Sequence, residues 1–165
     1  MLSLFARARS GHKEYPKIHG SGQSGSTRTE AVIIGTPCVA FYKYDGSNLT
    51  FAGKHDPEFL GVESNDPKEL VLFDVNIHKR GFISPKDFVE LFGLMPIAEV
   101  IYQGVFSPDF IDAVRNGEYP VKEGIIAKGG SGHGIWMRKV KTLEYLEQLK
   151  TRFPDIGKRW EDFWE

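Results

Sequence analysis

The chain has a single cysteine, Cys38, so no disulfide can form within it. Cys38 adjoins the apolar run at residues 39–41, which predicts a small buried hydrophobe rather than a reactive nucleophile. A chain without internal disulfides suits a reducing compartment, and we expect a cytoplasmic protein. Because no apolar run approaches the ~18 residues of a membrane-spanning helix, no membrane partner is expected.

An excess of one charge is also missing, since the formal net charge is -1. No overall basic field attracts nucleic acid, so any polynucleotide site must be a local patch. The five histidines lack the close spacing of a zinc site. With 165 residues, 41% of them hydrophobic, the chain can bury the core of one domain. We expect a flexible N-terminus at 1–14, the domain at 15–150 and a packed helical tail at 151–165.

The pattern of apolar residues predicts several short strands with helices between them. Helix starts are indicated by Ser84-Pro85, by Ser107-Pro108 and by Thr142, because serine and threonine cap helices and proline fits their first turn. Alternating or β-branched runs predict strands at 31–35, 39–44, 47–52, 70–75, 97–102, 124–127 and 135–140. The order indicates an α+β fold with mostly antiparallel sheets and interspersed helices.

The first candidate for chemistry is the sequence Lys43-Tyr44-Asp45-Gly46, in which a lysine ends an apolar strand and a tight turn follows. An ordinary lysine has a pKa of ~10.4, so a nucleophilic lysine needs desolvation or neighbouring cations to lose its proton at neutral pH. The alternative is a surface lysine before an ordinary hairpin turn.

Two further candidates lie near the C-terminal end. In one, Glu123 and Lys128 flank a short apolar strand, and in the other Lys139 and Lys141 share one face of a strand because side chains alternate. Residues 121–141 hold five Lys and Arg against one acid, which makes them the local basic patch. An anion between the two strand lysines would relieve their repulsion, although a solvated charged strand is the alternative.

The three candidates together resemble the signature of the covalent nucleotidyltransferases, which include ATP-dependent DNA and RNA ligases and capping enzymes. The resemblance lies in their chain order: first Lys43–Gly46, then Glu123–Lys128, then the pair Lys139 and Lys141. Further stretches resemble the RNA ligase branch: Tyr15-Pro16-Lys17-Ile18, Lys43 to Asn48, and Leu72-Phe73-Asp74-Val75 followed by Gly81-Phe82. The resemblance covers roughly residues 15–150. It implies a reduced adenylation domain of the nucleotidyltransferase (ATP-grasp-like) fold.

The resemblance also implies a reaction and its site residues. Lys43 would attack the α-phosphate of ATP to form lysyl-AMP, and AMP would pass to the 5′-phosphate of an RNA strand, or of DNA, before strand joining. Mg²⁺ would assist, Glu123 would position a hydrated metal ion or the lysine, and Lys139 and Lys141 would hold phosphate oxygens. Tyr42 would contact adenine through its backbone and Asp45 would orient the lysine or a ribose hydroxyl. The implied nucleotide-binding set is Tyr42, Lys43, Asp45, Gly46, Phe73 and Lys128.

The chain departs from the family between Lys43 and Phe73, where members carry an arginine-containing segment and a strand that stacks adenine and holds ribose. Neither is visible in this shorter interval, which indicates an internal deletion. Because stacking contributes ~1–3 kcal/mol per base, we expect weak ATP binding or slow adenylation. The alternatives are a catalytically impaired remnant that binds nucleotide or RNA, and a purely structural or interaction domain.

Overall fold

The computed structural model describes residues 18–20, 33–44 and 71–152. All of them belong to a compact unit that comprises Ile18–Tyr44 and Leu70–Glu165. The expected flexible N-terminus, the strand at 47–52 and most of the C-terminal tail lie outside the described residues, as do Asp45 and Gly46.

The main element is a five-stranded sheet with the spatial order β1-β7-β6-β2-β5. All of its pairings are antiparallel except that between β1 and β7. A two-stranded antiparallel hairpin pairs β3 with β4. The strands are β1 (His19–Gly20), β2 (Pro37–Tyr42), β3 (Asn76–Ile77), β4 (Gly81–Phe82), β5 (Val100–Val105), β6 (Gly124–Gly129) and β7 (Trp136–Lys141).

Three helices occur among the described residues: α1 (Pro85–Phe92), α2 (Pro108–Arg115) and α3 (Leu143–Arg152). Each begins at its predicted cap, because a hydroxyl accepts a hydrogen bond from a backbone N–H three residues later. The donor–acceptor distances are 3.1 Å at Ser84, 3.2 Å at Ser107 and 3.2 Å at Thr142. The expected α+β class with mostly antiparallel sheets is therefore confirmed.

The sheet has an apolar core on each face because its side chains alternate. One face buries Cys38 and Ala40 of β2 with Phe110 and Val114 of α2. The other face buries Val39 and Phe41 of β2 against Phe88 of α1, and partly buried residues of the segment 71–75 pack on this second cluster. Cys38 is buried as expected, and burial raises the pKa of its thiol to about 11, which keeps it protonated and unreactive.

Two strand predictions are wrong where the structure describes them. In place of a strand, Ile33 is helical and residues 34–36 form a turn, because Thr36 bonds back to the carbonyl of Ile33 and Gly35 adopts a left-handed φ of 86°. The segment 71–75 makes a single bridge, from Leu72 to Ile97, rather than a full strand. Its apolar residues pack across the sheet face instead of joining the ladder.

Candidate functional site

Lys43 immediately follows β2, on the face of the sheet that carries Val39 and Phe41. Its backbone N–H donates to the carbonyl of Gly124 at 3.1 Å, which fastens the end of β2 to the start of β6. The side chain is 18% exposed, so the ammonium is largely withdrawn from water but still accessible. The local fold therefore presents one lysine at the end of a buried strand.

Glu123 is the direct partner of Lys43. Its Oε1 lies 2.5 Å from Lys43 Nζ, and its side chain is 10% exposed. The residue stands just before β6, where its backbone carbonyl accepts a hydrogen bond from Thr142 N–H at 3.0 Å. Because Thr142 also caps α3, the position of the carboxylate is coupled to the start of that helix.

Lys141 supplies a second cation to this pair. It ends β7 and pairs with Gly124, on the same face as Lys43. Burial lowers the pKa of Lys141; the Glu123 carboxylate opposes this shift, and the positive charge of Lys43 adds to it. Three charged side chains from the ends of three adjacent strands therefore interact, and we call Lys43, Glu123 and Lys141 the lysine–glutamate cluster.

Gly124 explains how the strands come so close beside this cluster. Its φ is 147°, and a Cβ at this position would collide with the carbonyl oxygen of Val140 and lie 2.8 Å from Lys141 Cα. Only glycine avoids that collision. The glycine of the Glu-Gly motif is thus a steric requirement of the pairing that carries Glu123 and Lys141.

Lys139 occupies the same face of β7, two residues before Lys141. It pairs with Ile126 of β6 and is partly buried. Alternation thus places the two strand lysines side by side, as the spacing predicts. The basic face of β7 leads from the lysine–glutamate cluster towards the turn between β6 and β7.

Lys128 has a different environment further along β6. Its Nζ donates to Asp74 Oδ2 and to the carbonyl oxygen of Phe73, both at 2.7 Å. It also lies 5.2 Å from the ring centroid of Phe41 and 5.4 Å from that of Phe73. Burial lowers its pKa, and Asp74 opposes the shift. The ammonium thus ties the segment 71–75 to the sheet.

Phe73 and Tyr42, two further residues of the implied nucleotide-binding set, lie on opposite faces of the sheet. Phe73 lies beside Lys128, whereas the side chain of Tyr42 packs on the opposite core, with its ring 4.9 Å from that of Tyr44. The backbone N–H of Tyr42 donates to Glu99 O at 2.8 Å. Sequence reasoning assigned no role to Asp74. The available signal was an acid inside an apolar run, which indicates a buried cationic partner.

Comparison with models of protein families, with curated proteins and with solved structures finds no match for this chain. Across residues 18–20, 33–44 and 71–152, no three His, Cys, Asp or Glu side chains group as metal ligands. Within the same ranges no helix combines the length and apolar character needed to cross a bilayer.

The lysine–glutamate cluster has the charges that anion chemistry requires. Lys43 forms an ion pair with Glu123, and Lys141 interacts electrostatically with both, so two lysines and one carboxylate lie together at the ends of three adjacent strands. An incoming phosphate would be attracted by the two lysines, and displacement of Glu123 from Lys43 would release the amine. The arrangement therefore suits phosphate binding next to a lysine nucleophile.

Proposed function

We propose that this protein is an ATP-dependent RNA ligase that forms a covalent lysyl-AMP on Lys43. The observation that carries the proposal is the pairing of Lys43 with Glu123 at 2.5 Å beside Lys141, at one end of the three inner strands of the sheet. We further propose that the sheet belongs to a reduced nucleotidyltransferase adenylation domain. The chain order of the lysine, glutamate and two-lysine motifs supports this assignment.

In the first step the Lys43 amine attacks the α-phosphorus of ATP. An N–P bond forms, the bond to the bridging oxygen breaks and pyrophosphate leaves with the electron pair. The amine must be unprotonated to attack, and Glu123 is placed to accept a proton from it. Lys141, with Lys139 beside it on β7, would hold phosphate oxygens and stabilise their developing charge.

In the second step a 5′-phosphate oxygen of RNA would attack the same phosphorus and return the amine to Lys43. The 3′-hydroxyl of a second strand would then displace AMP. Mg²⁺, when bound, would neutralise phosphate charge, and Glu123 is the carboxylate of the cluster that fits a role in holding it. Because Glu123 also contacts Lys43, the two roles are coupled at one side chain.

A second candidate function is a non-catalytic protein that binds nucleotide or RNA through the same face. The 2.5 Å ion pair favours it, because the carboxylate of Glu123 occupies the Nζ atom that would have to attack ATP. The sequence between Lys43 and Phe73 also favours it, because the arginine-containing segment and the adenine-stacking strand of the family are not visible there. In this case the lysines of β7 would bind phosphates without any covalent chemistry.

Incubation with ATP labelled at the α-phosphate, in Mg²⁺, distinguishes the two. We expect a covalent adduct that maps to Lys43 and gains the mass of one AMP, and that is lost in Lys43→Arg, which keeps the positive charge. Lys150→Arg is the matched control, since it makes the same change on exposed α3. No adduct with retained RNA binding would refute the ligase and support the second candidate.

A further inference from the structure

Strand β4 of the β3–β4 hairpin lies directly against the glycine-rich turn that joins β6 to β7. Phe82 and Gly132 form an antiparallel bridge, with N–H to O distances of 3.3 Å from Phe82 and 2.6 Å from Gly132. A Cβ on Gly81 would collide with the backbone of Gly132. The two loops therefore contact each other through their backbones, and we call this pair of loops the hairpin–turn surface.

The hairpin–turn surface is basic and exposed. His78, Lys79 and Arg80 form the exposed tip of the hairpin, and His133 is exposed in the turn. No acid occurs in residues 76–86 or in residues 124–142, the two stretches that meet here. Within a chain of net charge -1, this is a concentrated positive surface.

The conformation of the tip is specific. Lys79 has a φ of 62°, and it is the non-glycine residue with a positive φ in the described part of the chain. Residues other than glycine and asparagine rarely adopt this left-handed region of backbone conformation. The turn is closed by a hydrogen bond from Arg80 N–H to Ile77 O at 2.9 Å. The fold thus maintains a strained turn that holds two cations at its apex.

The surface is connected to the lysine–glutamate cluster along β7. Gly129 ends β6 on the turn side, and Glu123 precedes the strand on the cluster side. At ~3.3 Å per strand residue the two ends are roughly 17–20 Å apart. Lys139 lies between them on the same face as Lys141. A few nucleotides of single strand would cover this distance.

We propose that the hairpin–turn surface binds the sugar–phosphate backbone of an RNA strand whose end lies at the lysine–glutamate cluster. The choice of RNA rests on the proposed function, whereas the phosphate-binding chemistry rests on the exposed cations. Backbone contacts by Lys and Arg are independent of base sequence and release counterions, so the binding weakens as salt rises. The surface thereby supplies strand binding that the small adenylation site lacks.

The test compares two charge-matched double variants, both in a Lys43→Ala background that removes covalent chemistry. Lys79→Asn/Arg80→Gln keeps the hairpin, because asparagine tolerates the left-handed conformation. Lys150→Gln/Arg152→Gln removes the same charge from the exposed end of α3. Fluorescence anisotropy measures the affinity for oligo(U) and oligo(A) RNA across a series of salt concentrations.

We expect the hairpin variant to bind both RNAs on the order of tenfold more weakly at 0.1 M salt, with the slope of log K against log salt reduced by about 1.4. The α3 variant should bind like its parent. Equal losses in both double variants, no loss in the hairpin variant, or a loss confined to one RNA would overturn the proposal.

Labelling with ATP separates this proposal from the ligase proposal. When Lys79→Asn/Arg80→Gln is made in the protein that retains Lys43, this variant should form the adduct at the parental rate. If Lys43 is never labelled but the hairpin variant still loses RNA affinity, the ligase fails and the RNA surface stands. If labelling occurs and RNA affinity is unchanged, the ligase stands and the RNA surface fails.

Discussion

The sheet face that carries Lys43 holds two lysine–carboxylate pairs with nearly the same geometry and different surroundings. Lys43 and Glu123 meet at 2.5 Å with exposed side-chain fractions of 18% and 10%, whereas Lys128 and Asp74 meet at 2.7 Å with fractions of 3% and 8%. The additional neighbours of Lys128 are a backbone carbonyl and two aromatic rings. The additional charged neighbour of the first pair is the cation Lys141.

One type of ion pair can therefore serve two purposes on the same sheet face. In the covered pair Asp74, the Phe73 carbonyl and two aromatic rings favour the positive charge of Lys128 and so offset part of the effect of burial, and the contact fixes the segment 71–75 to the sheet. In the accessible pair, Lys43 and Lys141 repel each other across one carboxylate, so an anion that enters would lower the energy of the cluster. We interpret the first as structural and the second as the chemical site.

The largest expected effect is the loss of stability when the covered pair is broken. Asp74→Ala should lower the free energy of unfolding by ~3–5 kcal/mol, because Lys128 would be left buried without a counter-charge. Asp74→Leu with Lys128→Met should recover most of that loss. Urea denaturation measures all three proteins. An equal loss in Glu123→Ala would remove the distinction between the two pairs.

The next effect concerns the accessible pair. Glu123→Gln should slow adenylation of Lys43 about a hundredfold, because the amide cannot accept the proton from the amine. The free energy of unfolding should fall by less than in Asp74→Ala, since the lysine left without its partner is 18% exposed at position 43 and 3% exposed at position 128. Rapid-quench labelling gives the rate. Glu144→Gln on exposed α3 is the matched control, and a rate unchanged in Glu123→Gln would exclude a catalytic role for the carboxylate.

A smaller effect is expected from the second cation of the cluster. Lys141→Met should weaken ATP binding about tenfold, which corresponds to the lower end of the ~1.5–3 kcal/mol of one charge-assisted hydrogen bond. Lys141→Arg should retain most of the affinity, because it preserves the charge. Isothermal titration in the Lys43→Ala background measures binding without chemistry. Parental affinity in Lys141→Met would place the phosphates elsewhere.

Features that depend on local residues could be predicted from the sequence. The caps at Ser84, Ser107 and Thr142 lie where expected, because a cap is decided by contacts three residues apart. The shared face of Lys139 and Lys141 follows in the same way from strand alternation. The sequence also indicated the local basic patch at residues 121–141, to which these two lysines and Glu123 belong.

Features that depend on distant contacts could not be predicted. The family resemblance predicts a nucleotide-binding role for Lys128, but its surroundings are set by Asp74, 54 positions away in the chain. The apolar run at 70–75 resembles a strand. Within residues 71–75, however, the backbone forms the single bridge Leu72–Ile97, because the apolar side chains pack against the face of the sheet. Sequence patterns do not indicate which strands a segment will lie across.

The smallest expected effect is the pH dependence of stability that the covered lysine contributes. Burial lowers the pKa of folded Lys128, whereas in the unfolded chain it returns to ~10.4. Between these two values the unfolded chain holds a proton that the folded chain has lost, so the free energy of unfolding should rise with pH and level off above ~10.4. Cys38 and Tyr119, whose pKa values burial raises, contribute the opposite slope, Cys38 above about pH 9 and Tyr119 above about pH 10. Their contributions are common to the parent and to Asp74→Leu/Lys128→Met, so they cancel in the difference. That difference, measured by urea denaturation from about pH 8 to pH 10, should grow with pH; a constant difference would mean that Lys128 keeps its proton in the folded protein.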